Sequence, residues 1–142
     1  MNAIRTLHGS LTHAVPEAPL ALLLRLGIAA PFLFSARTKV EGLLTLTDTT
    51  FYLFQEEYRL PFLAPVPAAY LATYAEHVFP ILIILGLATR LSAAALLVMT
   101  LVIQLFVVPS GWPTHLLWAG PLVWLIARGP GPWSLDRALR ID

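Results

Sequence analysis

Residues 68–108 read AAYLATYAEHVFPILIILGLATRLSAAALLVMTLVIQLFVV, and in that whole stretch only Glu76 and Arg90 carry a firm charge. A helix needs about 20 mainly apolar residues to cross the hydrocarbon core of a bilayer. The stretch is long enough for two such helices, and only Thr89-Arg90 interrupts it. It therefore predicts spans at Ala68–Ala88 and Leu91–Val108, folded back on each other as a tight helical hairpin.

The flanks extend the pattern. Upstream, Leu20 to Ala36 is a further apolar run, opened by Pro16 and Pro19, which suit a helix start. Downstream, Pro109, Gly111 and Pro113 break the chain before a fourth run from about Trp112 to Ala127. Gly129-Pro130-Gly131-Pro132 then ends it. Pro31, Pro80 and Pro121 fall inside runs and predict kinks, because neighbouring helices re-satisfy the freed carbonyls in a membrane. Phe34-Ser35-Ala36 faintly resembles a signal cleavage site. With only Arg5 firmly positive before it, Arg37 and Lys39 after it and three more spans to come, the first run reads as a retained helix.

Composition points the same way. The apolar set makes up 58% of the 142 residues and charged residues only 12%, against about a quarter charged in an ordinary soluble domain. Mean hydropathy is +0.76. The fold expected is all-α: a four-helix transmembrane bundle, residues 1–142 forming one integral membrane domain. A net charge of +1 gives no sign of a nucleic-acid partner. The absence of cysteine excludes disulfides, dithiol redox chemistry and thiolate metal sites.

The long loop, 37–67, carries Thr47-Asp48-Thr49-Thr50-Phe51-Tyr52-Leu53-Phe54-Gln55-Glu56-Glu57-Tyr58. Thr47 or Asp48 can cap a short helix. Phe51, Phe54 and Tyr58 then share one face, which predicts a helix lying in the membrane interface, with Gln55, Glu56 and Glu57 turned to water. With four spans both termini share a side. That side holds Arg5, Arg90, Arg128, Arg137 and Arg140, while the other holds Arg37, Lys39 and Arg59. The positive-inside rule then puts the termini and the 128–142 tail in the cytoplasm and the long loop outside.

Polar groups inside spans are costly, so each is a functional candidate. Glu76 lies roughly 12 Å below Ala68 at about 1.5 Å per residue, with His77 beside it and Thr73 and Tyr70 on the same stripe. Gln104 follows Thr100 by a turn. His115 opens the fourth run, one turn from Trp118. Arg37 and Lys39 close the first run. These groups converge on the outer half of the bundle and predict an outward pocket, in which Glu76, His77, Gln104, His115, Trp118, Lys39 and Arg37 are the candidate ligand-binding residues. The bland readings stand beside this one. Glu76 can pair with Arg37 or Lys39 simply to lock helices, Gln104 and Thr100 can be interhelical glue, and the histidines without thiolates make a weak metal set. No nucleophile–base pair stands out, so no catalytic residue is assigned. Arg25 reads as an anchor that snorkels to the cytoplasmic surface, Arg90 as the anchor of the hairpin turn, and Asp136 as a helix-start residue beside the cap Ser134.

Five pieces in order carry a resemblance: Arg25-Leu26-Gly27, Ser35-Ala36-Arg37-Thr38-Lys39, Ala68-Ala69-Tyr70-Leu71-Ala72-Thr73 with Glu76, Gly86-Leu87-Ala88-Thr89-Arg90, and Gly129-Pro130-Gly131-Pro132-Trp133-Ser134-Leu135-Asp136. Together they resemble the DoxX family of small bacterial inner-membrane proteins. One departure is Ala36, where the family commonly has glycine. The resemblance implies a four-helix bundle in the bacterial inner membrane. It also implies a membrane subunit accompanying an oxidoreductase, as in thiosulfate:quinone and superoxide-detoxifying systems; the cofactor is left open, with a quinone as the candidate and no metal firmly implied. Other members accompany the makers of copper-binding peptides, so a membrane partner or exporter component for a metal-binding peptide is the alternative, and a non-catalytic scaffold a third. The expected partners are the lipid bilayer and other membrane or periplasmic proteins, with a homo-oligomer left open.

Overall fold

The computed structural model describes residues 16–141; Arg5 lies outside them. Four long helices dominate. Helix α1 spans Glu17–Thr38, α3 Pro65–Leu85, α4 Thr89–Val102 and α5 Trp112–Arg128. Between α1 and α3 come a two-stranded antiparallel hairpin, β1 Val40–Glu41 and β2 Thr45–Leu46, and the short helix α2, Asp48–Glu56. Helix α6, Leu135–Leu139, closes the chain. Three of the helical stretches, Glu17–Thr38, Pro65–Leu85 and Thr89–Val107, are long and apolar enough to cross a membrane.

The long helices pack in a ring. Helix α1 lies along α3 and α4 along α5, and contacts between α3 and α4 and between α1 and α5 complete it. On α1 the buried residues Ala21, Arg25, Ile28, Ala29, Phe32 and Ala36 recur at helical spacing and make one inward stripe. Ile28, Phe32, Ile83, Ala93, Leu96, Leu122 and Leu125 meet in a single apolar core drawn from all four helices. Exposed residues such as Leu23, Phe34, Leu91 and Leu117 leave the outward faces apolar too, the mark of a bundle whose surroundings are not water.

The ring has a turn end, at residues 86–88, and a loop end. At the turn end Gly86 sits at φ 67° and closes α3 with paired bonds, Gly86 N–H to the Ile83 carbonyl (3.0 Å) and Leu87 N–H to the Leu82 carbonyl (2.9 Å), the Schellman arrangement that favours glycine. A side chain there would also strike Arg25 and Ser134. Arg25 corrects the sequence expectation. It does not snorkel to the surface but is 1% exposed and donates through Nη2 to the Trp133 carbonyl. The tail folds back over this end, and Ala21 would meet any side chain at Gly131, so the guanidinium is sealed under it.

Two charged side chains bind helix ends here. Asp136 accepts from the backbone N–H groups of Ala88 (2.6 Å) and Thr89 (2.9 Å), supplying from the tail the N-terminal cap that α4 lacks locally. Arg90 donates to the carbonyls of Ile126 and Ala127 at the C-terminus of α5, where positive charge is favoured. Ser134 caps α6 by accepting from the Arg137 N–H.

At the loop end α2 starts on Thr47, whose hydroxyl accepts from the Thr50 N–H at 3.2 Å. Phe54 is buried, and Phe51 and Tyr58 pack with it against Val40, Leu46, Ala68 and Ala69. The small residues that open α3 leave a depression, and the aromatic face of α2 fills it; Phe51 meets Tyr70 edge-on at 5.5 Å. The face assigned from sequence to the membrane interface is therefore occupied by protein contacts. Tyr70 packs edge-on against Phe51 and tilted against Tyr74. Helix α4 does not run on unchanged to Val108. Its last turn, Ile103–Val107, is a π-helix, followed by a short 3-10 turn at Pro109–Gly111.

Candidate functional site: a lateral cavity ending on a buried ion pair

Lys39 is the first residue after α1, and its backbone is held by the loop. Its carbonyl accepts from the Thr47 N–H (3.1 Å) and from the Thr50 hydroxyl (2.8 Å). So anchored, the side chain turns back along the helix. Its Nζ donates to Glu76 Oε2 at 2.6 Å, to Ser35 Oγ at 2.6 Å and to the Ser35 carbonyl at 3.3 Å. The Ser35 hydroxyl faces the other carboxylate oxygen, Oε1, at 3.4 Å. Lys39 and Glu76 are both buried, 8% and 4% exposed. Charge-assisted bonds of this length in a low-dielectric setting are strong, and each partner is what makes the other tolerable. Ser35 stands one turn before Lys39, so the helix itself delivers the third member.

This triad sits on the wall of a cavity of about 580 Å³, within the range of small-molecule sites. All four long helices and the loop contribute to its lining, which is mostly Ala, Val, Leu, Phe and Met side chains; Ser35, Lys39, Glu76 and His115 are the charged or strongly polar exceptions. Leu71 of α3 and Val98 of α4 both line it and are 65% and 60% exposed. The cavity thus opens sideways between the two arms of the helical hairpin, where small residues such as Ala72, Ala75 and Ala95 keep the walls apart. Leu60, Phe62 and Leu63 of the loop also line it, and Phe62 meets Phe106 of the π turn edge-on at 5.5 Å.

His115 approaches from α5. Its Nδ1 is 2.7 Å from Gln104 Oε1, and Gln104 Nε2 donates to the Pro109 carbonyl at 2.8 Å. The His115 ring packs on Trp118, which packs in turn on Phe32. π turns are rare and occur often at functional sites; this one carries Gln104.

Of the residues singled out from sequence, the structure brings Lys39, Glu76, His115 and Trp118 onto one cavity. Gln104 does not line it but orients His115. His77 is turned elsewhere: it is buried, its Nδ1 meets the Thr73 carbonyl of its own helix at 2.7 Å, and its Nε2 has no partner among the described residues. Arg37 is exposed and donates to the carbonyls of Gly42 and Leu43, each at 2.8 Å, closing the β-hairpin turn. Thr100 bonds back to Leu96 within α4. Sequence reasoning passed over Ser35, whose signal was its place four residues before Lys39. It also passed over Phe62, which gave none, and it assigned Phe54 and Tyr58 to the membrane interface, whereas both line the cavity. Among the described residues no three His, Asp or Glu side chains stand together as a metal-ligand group.

No curated protein and no solved structure matches the chain. A family model described as DoxX matches residues 20–109. The matched stretch runs from the first turns of α1 past the π turn, taking in Ser35, Lys39, Glu76 and Gln104, and on this match over more than half its length the chain belongs to the DoxX family.

Proposed function

We propose that the protein is a multi-pass subunit of the bacterial inner membrane that accompanies an oxidoreductase and binds an isoprenoid quinone or a similar lipid in the cavity between α3 and α4. The observation that carries this reading is the form of the cavity: an apolar slot open sideways, ending on a small polar set of Ser35, Lys39, Glu76 and His115. A ligand with an apolar tail and a polar head partitions into the bilayer and needs a lateral entrance. A water-soluble substrate has no reason to enter between apolar helix faces. In this reading α5, with 17 residues, is the fourth span, the termini and the Arg90 turn face the cytoplasm, and the loop end faces the periplasm.

The test is binding to the purified full chain in detergent. Short-tailed quinones and isoprenoid lipids are expected to raise the melting temperature of the wild-type protein. Ala75→Phe, which puts a ring into the slot without touching the polar set, is expected to remove that effect while the protein still unfolds cooperatively. Equal response of wild type and Ala75→Phe would refute the cavity as the site.

A further inference from the structure

The hydrogen-bonding capacity left open in the polar set of Ser35, Lys39, Glu76 and His115 is of one kind, and this narrows the ligand class within the proposal above, on which it rests. The donors of that set are used up, and the other donors on the cavity wall are the Tyr58 hydroxyl and the Trp118 indole N–H. Lys39 has three N–H groups, and they are directed at Glu76 Oε2, Ser35 Oγ and the Ser35 carbonyl. Ser35 Oγ, accepting from Lys39, is left to direct its own proton at Glu76 Oε1.

The state of His115 follows from its neighbours. Were the Gln104 amide turned over, its oxygen would face the Pro109 carbonyl, two acceptors at 2.8 Å. The amide nitrogen must therefore point to Pro109, which leaves Oε1 facing His115 Nδ1. An amide oxygen only accepts, so Nδ1 carries the proton. In the neutral ring Nε2 is then a bare acceptor, and it has no hydrogen-bond partner among the described residues. Gly111 keeps that edge clear, since a Cβ there would stand 2.8 Å from Cε1 and 3.2 Å from Nε2. Glu76 Oε1, whose one contact is the 3.4 Å approach of Ser35, is a second under-used acceptor.

We infer that the cavity selects a head group that donates a hydrogen bond, a quinol or another hydroxylated isoprenoid, with its hydroxyl directed at His115 Nε2 and Glu76 Oε1 as the second acceptor. A quinone is the poorer match to this set, because its carbonyls need donors, those of the set are engaged, and only the Tyr58 hydroxyl and the Trp118 indole elsewhere on the wall are left for it.

The experiment compares three probes on the full chain in detergent, under anaerobic conditions, by calorimetric titration: decylubiquinol, decylubiquinone and the dimethyl ether of decylubiquinol. All share the tail and ring, and only the first can donate. The quinol is expected to bind about tenfold more tightly than either of the others, one well-made hydrogen bond being worth about that factor. In His115→Phe the three affinities should converge. In Gln104→Leu, which frees the ring to present either nitrogen, the preference should shrink. A fourth arm with farnesol separates an aliphatic from an aromatic hydroxyl head; its binding above that of its methyl ether supports the inference for the aliphatic class. Equal affinities for the quinol and its dimethyl ether, or tighter binding of the quinone, would overturn the inference and leave the lipid-binding proposal standing. No binding of any probe to a cooperatively folded sample would overturn both.

Discussion

At the scale of single residues, the Lys39–Glu76 pair is the most consequential contact in the protein. Removing one partner from a buried pair leaves the other charge without compensation, at a cost of about 3–5 kcal/mol. Lys39→Met and Glu76→Gln are each expected to destabilise the protein by that order, and the double substitution by clearly less than the sum of the two. A double-mutant cycle on the unfolding free energy checks this, and additive losses would show that the 2.6 Å contact carries no coupling. Gly86 is the second such position. Its backbone lies at φ 67°, and an added methyl group would run into Arg25 and Ser134. Gly86→Ala should cost at least about 2 kcal/mol, combining the left-handed penalty with displacement of a buried guanidinium. A loss below about 0.5 kcal/mol, the level of an inert surface change, would mean that the turn relaxes freely.

At the scale of elements, the turn end shows helices capped by residues far away in the chain. Helix α4 is preceded at its N-cap by Ala88, whose methyl group cannot accept a capping bond and whose backbone sits at φ 47°. The Asp136 carboxylate does the work from the tail, and it brings negative charge to a helix N-terminus, where the dipole favours it. Asp136→Ala is expected to cost about 1–2 kcal/mol and to speed amide exchange at Ala88 and Thr89 first. Exchange changes confined to α6 would show that Asp136 serves only its own short helix. The local sequence pointed to that narrower role, since Asp136 follows Ser134 in a helix start. Which distant N–H groups an exposed-looking aspartate will meet depends on how the tail folds back, and no spacing rule encodes that.

For the whole molecule, the proposed orientation rests on the distribution of Lys and Arg between the two ends of the bundle. A C-terminal alkaline phosphatase fusion is expected to be inactive and one inserted near Asp48 active. The opposite pattern would turn the cavity's polar end towards the cytoplasm. A lipid or quinol that binds only the folded state should stabilise it by about 2.7 kcal/mol at a hundredfold excess over its Kd. The stabilisation should be unaffected by chelators, because among the described residues no three His, Asp or Glu side chains stand close enough together to hold a metal. A response abolished by chelator would favour a metal.

What the sequence determined by itself was what depends on composition and on short range along the chain. Hydropathy marked the apolar stretches, and prolines and glycines marked their ends, because the energetics of a bilayer act on every residue independently. An ion pair of Glu76 with a basic residue was one of the readings the sequence offered, with Arg37 and Lys39 as equal candidates. Tertiary structure chose Lys39: the β-hairpin engages Arg37 with its own turn carbonyls, while Thr47 and Thr50 hold the Lys39 backbone so that its side chain turns inward. In the same way only packing could decide that His115 lines the cavity while His77 does not. Both lay at suitable depth, but a helix face is assigned by what packs against it, and the π turn that brings Gln104 to His115 comes from a register change that periodicity cannot show.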